Sequence, residues 1–203
     1  MKKKNRPFNE EEVQHIMRQL LNGINYLHSK TETKDRILHR DLKLENILLH
    51  YNNEDDRINN RILKAKIKIA DFGFSRYLQG PIAQTVVGSP LFMDPRILSQ
   101  YNNPLGKEKN FGYEQKADIY SLGIIFYNLL TGDIPFEAYN LNDLKDLTKV
   151  GIYRISEDFS KETISFLNYM LRYDPTKRLD VEQLLKHKFI TKDVKDFTKI
   201  DKS

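Results

Sequence analysis

Apolar residues recur at steps of three and four at Val13, Ile16, Met17, Leu20, Ile24 and Leu27, the repeat of a single helical face. Asn9 followed by Glu12 supplies a capping box, and acids in the first turn complement the helix dipole. The pattern predicts a helix of about five turns. After a polar loop over 31–36, Ile37-Leu38 and Ile47-Leu48-Leu49 read as short buried strands flanking a polar octapeptide. Asn52, Asn53, Glu54, Asp55 and Asp56 read as a polar loop, and the alternation at Ile67 and Ile69 as a further strand. Residues 71–95 contain Gly73, Gly80, Pro81, Gly88, Pro90 and Pro95 without a lasting period. They are expected to form one long functional loop rather than an element. A second loop carries Asn102, Asn103, Pro104, Gly106 and Gly112. Residues 116–130 predict an apolar helix ended by Gly132 and Pro135. Further helical patterns lie near 140–149, 160–172 and 180–188, the last two separated by Pro175. The expected domain is mainly helical, with short strands near its active edge.

Composition narrows the class. A chain of 203 residues with 39% apolar content and 11 Phe and 11 Tyr suits one compact domain with a sizeable core. The 30% charged content points to a soluble protein. The longest apolar segment, 119–130, is interrupted by Tyr120, Ser121, Gly123 and Asn128, so no membrane span is expected. Lys2-Lys3-Lys4 runs into Asn5-Arg6-Pro7 where a signal peptide would need an apolar stretch. The absence of cysteine removes disulfides, thiolate metal sites and cysteine nucleophiles, and is compatible with a cytoplasmic location, the nucleus remaining open. The net charge of +5 comes from lysines interleaved with acids such as Asp143, Asp146, Glu157 and Asp158, a solvated surface rather than a nucleic-acid patch. No nucleic-acid partner is expected. His15, His28, His50 and His187 are read as packing or surface residues, not ligands.

The chemistry gathers in His39-Arg40-Asp41-Leu42-Lys43-Leu44-Glu45-Asn46. Phosphoryl transfer needs a carboxylate near the attacking hydroxyl and oxygen ligands for magnesium. Asp41 can orient the hydroxyl and accept its proton, Lys43 can neutralise the moving phosphoryl group, and Asn46 can offer a neutral oxygen to a metal. Asp71, in Asp71-Phe72-Gly73 after the strand carrying Ile67 and Ile69, is a second hard ligand. Singly, such residues in loops are turn formers. Together, in this order and between these strands, they match the kinase catalytic loop and its metal-binding triplet.

On these residues the chain resembles the C-terminal lobe of eukaryotic protein kinases. The resemblance implies a protein-kinase-like C-terminal lobe, mainly α-helical with short β-strands around the catalytic loop. It places a partial kinase domain at 1–190, with catalytic loop 39–46 and activation segment 71–96, and leaves 191–203 as a charged, frayed tail. ATP and Mg2+ are the implied cofactors, and protein substrates the implied partners. Ser89, in Gly88-Ser89-Pro90, matches the hydroxyl that such kinases set against the catalytic Asp and Lys. Lys43, two residues after Asp41, points to serine/threonine specificity. Asp118 resembles the helix Asp that anchors the catalytic loop, and Arg178 the family's late structural arginine; His39, Phe72 and Gly73 are structural positions of the same motifs. Arg40 beside Asp41 suggests control by a phosphate on the activation loop, with Thr85 as its site and an upstream kinase as the partner. Residues 68–78 and 87–93, with the polar insert between Leu49 and Lys66, look most like the autophagy-initiating serine/threonine kinases.

Two departures qualify the resemblance. No glycine-rich loop, strand lysine or helix glutamate precedes Asn9, so the small N-terminal β lobe is expected to be absent, and this chain alone to be poorly soluble and inactive. Where the family has Ala-Pro-Glu, this chain has Asp94-Pro95-Arg96, which puts an Arg opposite Arg178. The expectation is a rearranged pair in which Asp94, or an acid such as Asp180, faces Arg178. Two other readings stay open: a non-catalytic binding or scaffold module derived from a kinase, and a small-molecule phosphotransferase. The intact Asp41, Lys43, Asn46 and Asp71 argue against the first. Arg40, Phe72-Gly73 and Gly88-Ser89-Pro90 argue against the second.

Overall fold

Asn9 accepts the Glu12 backbone N–H at 2.9 Å while Glu12 returns to the Asn9 N–H at 3.0 Å, starting helix α1 (Glu10–His28). In this computed structural model, residues 7–29, 36–77, 89–99 and 115–193 are described. The remaining elements are β1 (Ile37–Leu38), β2 (Ile47–His50), α2 (Glu54–Ile58), β3 (Lys66–Ile69), β4 (Arg76–Tyr77), α3 (Pro95–Ser99), α4 (Gln115–Thr131), α5 (Leu141–Val150), α6 (Lys161–Met170), α7 (Val181–Leu185) and α8 (Lys188–Thr191). The architecture is mostly helical with two small two-stranded sheets, as expected from the sequence.

The apolar stripe of α1 is buried from Val13 to Ile24 and packs against α4, α7 and β3. α4 differs from it in kind. Thirteen of its residues are buried, on all sides, because it runs through the middle of the lobe. Phe126 of α4 meets Phe166 and Phe189 edge-on at 5.2 and 5.0 Å between centroids, tying α4 to α6 and α8. Each such buried side chain contributes about 1.5–3 kcal/mol relative to exposure.

β2 and β3 pair antiparallel with Ile47 opposite Ile69, and β1 pairs antiparallel with β4 through Leu38 and Arg76. α1 fixes the first pair. Gln19 donates to the Ala65 carbonyl at 3.2 Å and accepts from the Ile67 N–H at 3.0 Å. Gly23 lets the helix come close, since a Cβ there would lie 3.1 Å from Ile69 Cδ1.

Three expectations need correction. The polar stretch at 52–56 is not a loop: Asn53 caps Asp56, and three acids in the first turn stabilise the short α2 without any apolar stripe. Residues 71–95 are not free of elements. β4 lies among them, and a single 3-10 turn spans Pro90–Phe92. The helix expected at 180–188 is split where His187 caps α8, its side chain accepting from the Phe189 N–H. The loop at 102–112 and the tail beyond 193 lie outside the described residues. Among the described residues no helix is long and apolar enough to cross a membrane.

Candidate active site

The octapeptide turns sharply at Arg40, whose φ of 72° is left-handed, a region that a bulky side chain enters only when its surroundings impose it. The surroundings are visible. Asp118, buried in the first turns of α4, accepts the backbone N–H groups of His39 and Arg40 at 3.0 Å each. The same carboxylate meets His28 Nε2 at 2.8 Å. Burial pushes the Asp118 carboxyl up; the His28 hydrogen bond and charge, with the two backbone N–H groups, outweigh it and hold the group below its ordinary value. The loop is thus fastened to the central helix by its backbone, which leaves its side chains free for other work.

Those side chains converge on Asp41. Lys43 Nζ donates to one carboxylate oxygen at 2.6 Å, and Asn46 Nδ2 reaches the same oxygen at 3.3 Å. Asn46 also donates to the Asp41 carbonyl at 2.8 Å. Ser89 donates to the other carboxylate oxygen through its N–H and its hydroxyl, both at 3.1 Å, and Lys43 Nζ reaches the Ser89 hydroxyl at 3.3 Å. The Asp41 side chain is nearly enclosed while that of Lys43 keeps 24% of its surface exposed. The hydrogen bond to Asp41 raises the Lys43 pKa, against a smaller opposing effect of desolvation, and the negative field of Asp41, Glu45 and Asp71 adds to it.

Asp71 arrives from the neighbouring β3. The Ala70 N–H donates to the Asn46 carbonyl at 2.9 Å and the Ala70 carbonyl meets His39 Nε2 at 3.1 Å, which locks the end of β3 to the loop. Asp71 itself has a φ of 60° and accepts the Gly73 N–H at 3.2 Å, with its side chain exposed. Phe72 lies edge-on to His39 at 5.0 Å. Asp41, Lys43, Asn46, Asp71 and Ser89 therefore share one edge of the lobe. Arg40 is buried in the same loop; Thr85 and Gly88 lie outside the described residues.

The donor set suits magnesium in one way and not in another. Among the described residues no three His, Asp or Glu side chains gather into a metal cage. Magnesium does not need one, since one or two protein oxygens plus phosphate and water suffice. Asn46 spends its amide nitrogen on Asp41, which leaves its amide oxygen without a hydrogen-bond partner among the described residues, and the Asp71 side chain is exposed. A void of about 10 Å³ between Asp41, Ser89 and Asp118 has room for one water at most.

Arg178 is 2% exposed, and its guanidinium bonds Asp94 and the carbonyls of Arg172 (2.5 Å), Lys116 (2.9 Å) and Tyr173 (3.0 Å) and lies over the Tyr120 ring at 4.9 Å. Asp94, not Asp180, is its acid; Asp180 instead caps α7 in a box with Gln183. Sequence reasoning treated His28 as packing and missed its part in holding Asp118. Its position at the end of the α1 stripe offered no hint of a partner ninety residues on.

A model of the protein kinase domain matches residues 1–190. The chain belongs to the protein kinase family. The kinase lobe is similar to the "Probable serine/threonine-protein kinase fhkA" of Dictyostelium discoideum, 36% identical over 208 aligned residues that cover 90% of this chain and 33% of that protein. It is similar also to the "Probable cell cycle serine/threonine-protein kinase CDC5 homolog" of Encephalitozoon cuniculi, at 34% over 94% of this chain and 36% of the relative. Serine/threonine-protein kinase 33 of Mus musculus is 33% identical over 91% of this chain and 35% of its own length. The kinase lobe spans about a third of the length of these relatives.

Proposed function

We propose that this lobe serves a serine/threonine protein kinase that transfers the γ-phosphoryl group of ATP to serine and threonine hydroxyls of proteins. The observation that carries the reading is the convergence of Lys43, Asn46 and Ser89 on the single carboxylate of Asp41, with Asp71 at the end of the adjoining strand. In this reading Asp41 orients the incoming alcohol and accepts its proton. The Ser89 hydroxyl, donating to Asp41, marks the direction from which a substrate hydroxyl would do the same. Lys43, kept charged by Asp41, neutralises the phosphoryl group in transit. Asn46 and Asp71 would hold magnesium, which when bound with ATP would supply charge neutralisation on the phosphates. Glycine-rich loop and strand lysine have no counterpart in these residues, and one preorganised electrostatic donor is worth roughly 3 kcal/mol of transition-state stabilisation. The 203 residues alone should then transfer little phosphate. Phe72 and Phe74, 47% and 45% exposed at this edge, are side chains that a covering lobe would bury.

Three finer readings rest on less. Arg40 as the receiver of a phosphate on Thr85, placed there by an upstream kinase, rests on its place beside Asp41. Kinship with the autophagy-initiating kinases rests on residues 68–78 and 87–93. A cytoplasmic or nuclear location fits the lack of cysteine.

The test is phosphotransfer from labelled ATP by the whole protein, with serine, threonine and tyrosine peptides as acceptors. Asp41→Asn should lower the rate at least about a hundredfold. Equal activity of that variant would remove Asp41 from the reaction, and transfer confined to tyrosine would overturn the specificity.

A further inference from the structure

Away from the catalytic edge, two clefts meet along α6. One, of about 510 Å³, runs between the end of α5 and the turn after α6, lined by Lys149, Tyr153, Arg172, Tyr173, Asp174 and Lys177. The other, of about 310 Å³, lies along α6 itself and includes Lys161 and Tyr169. Asn168 and Arg172 line both, so the two form one continuous groove.

Its charge is one-sided. Lys149, Lys161, Arg172 and Lys177 face it, and none of the four makes an ion pair with a described residue. The one lining carboxylate, Asp174, is engaged by Thr176, accepting its N–H at 2.9 Å and its hydroxyl at 2.8 Å. The groove also has an apolar lip: Val150, which lines it, is 65% exposed. Its floor is rigid. Tyr153 donates to Asn168 Oδ1 at 2.6 Å and stands edge-on to Tyr127 and Phe136 at 5.9 Å each.

We propose that this groove docks an extended acidic peptide segment of a protein partner, with an apolar side chain set against Val150. Four cations without an ion pair among the described residues, spread over two adjoining clefts with an apolar lip, match alternating acidic and apolar side chains. The exposed apolar side chain of Val150 at the lip suits a peptide side chain better than a phosphate backbone. The groove is separate from Asp41, so this inference stands apart from the reading of the catalytic edge.

The test is fluorescence anisotropy of the full chain with a labelled peptide carrying one phenylalanine flanked by glutamates. Binding should weaken as salt rises. Combined Lys149→Glu, Arg172→Glu and Lys177→Glu should weaken it roughly tenfold or more. Lys186→Glu, exposed outside the groove, and Asp41→Asn should leave it unchanged. Alanine in place of the phenylalanine should weaken it through loss of the apolar contact. The proposal is overturned if Lys186→Glu weakens binding as much as the groove variants, if a lysine-flanked peptide binds equally, or if an oligonucleotide binds more tightly through the same residues.

Discussion

His28 Nε2 and Asp118 Oδ2 are 2.8 Å apart, and the carboxylate they share is the one that holds the backbone of His39 and Arg40. The end of α1 thereby supports the candidate catalytic loop through α4. Asp118→Ala would leave two buried N–H groups without an acceptor, at about 1–3 kcal/mol each. His28→Ala removes a hydrogen bond to a charged group, worth about 1.5–3 kcal/mol. Urea unfolding should place both variants well below the parent, Asp118→Ala the lower; a loss within about 0.5 kcal/mol for either would contradict the role.

The same carboxylate predicts an acid response. Its folded pKa is depressed, so its contribution is fully present above the ordinary aspartate value of about 3.9 and is lost as pH falls through the folded value. Asp118→Asn cannot titrate there. Stability measured against pH should fall less steeply for that variant below about pH 4 than for the parent. Parallel slopes would show that Asp118 contributes nothing to acid unfolding.

Asp94→Ala strips a buried arginine of its acid and should destabilise by about 3–5 kcal/mol. Adding Arg178→Met to that variant should recover part of the loss, because the orphaned charge is then gone. A thermal-unfolding cycle of the two single variants and the double reads this directly. Strict additivity would mean the pair is not coupled.

Gly123 lies where α4 crosses α6. A Cβ there would sit 2.8 Å from Leu171 Cδ2 and 2.9 Å from Met170 Cβ, too close for either to remain in place. Gly123→Ala should therefore destabilise by about 1–3 kcal/mol despite alanine's better helix propensity. A stabilised variant in urea unfolding would mean that α4 and α6 separate easily.

Much of the fold was legible because it is written locally. The capping box of Asn9 and Glu12 and the stripe from Val13 to Leu27 lie within single turns of each other, and α1 begins at Glu10 as the pattern requires. The central helix was as plain from its apolar run. The short α2 was missed because it has caps and acids but no buried face, and β4 because two residues become a strand only when Leu38 is opposite them. The residue types of the candidate site, Asp41, Lys43, Asn46 and Asp71, were readable from one loop and one triplet. What supports them was not, for His28 and Gln19 act on partners far along the chain.

By itself the sequence determined the long helices α1 and α4, the Asn9 cap and the chemical groups of the candidate site, since each depends on residues a few positions apart. Only the tertiary structure decided which acid meets which base. The sequence offered Asp94, or an acid such as Asp180, for Arg178; packing left Asp94 buried beside the guanidinium and Asp180 spent on capping α7. Spacing encodes contacts along one helix or strand; a contact between elements depends on how their faces pack, and no short stretch of residues records that.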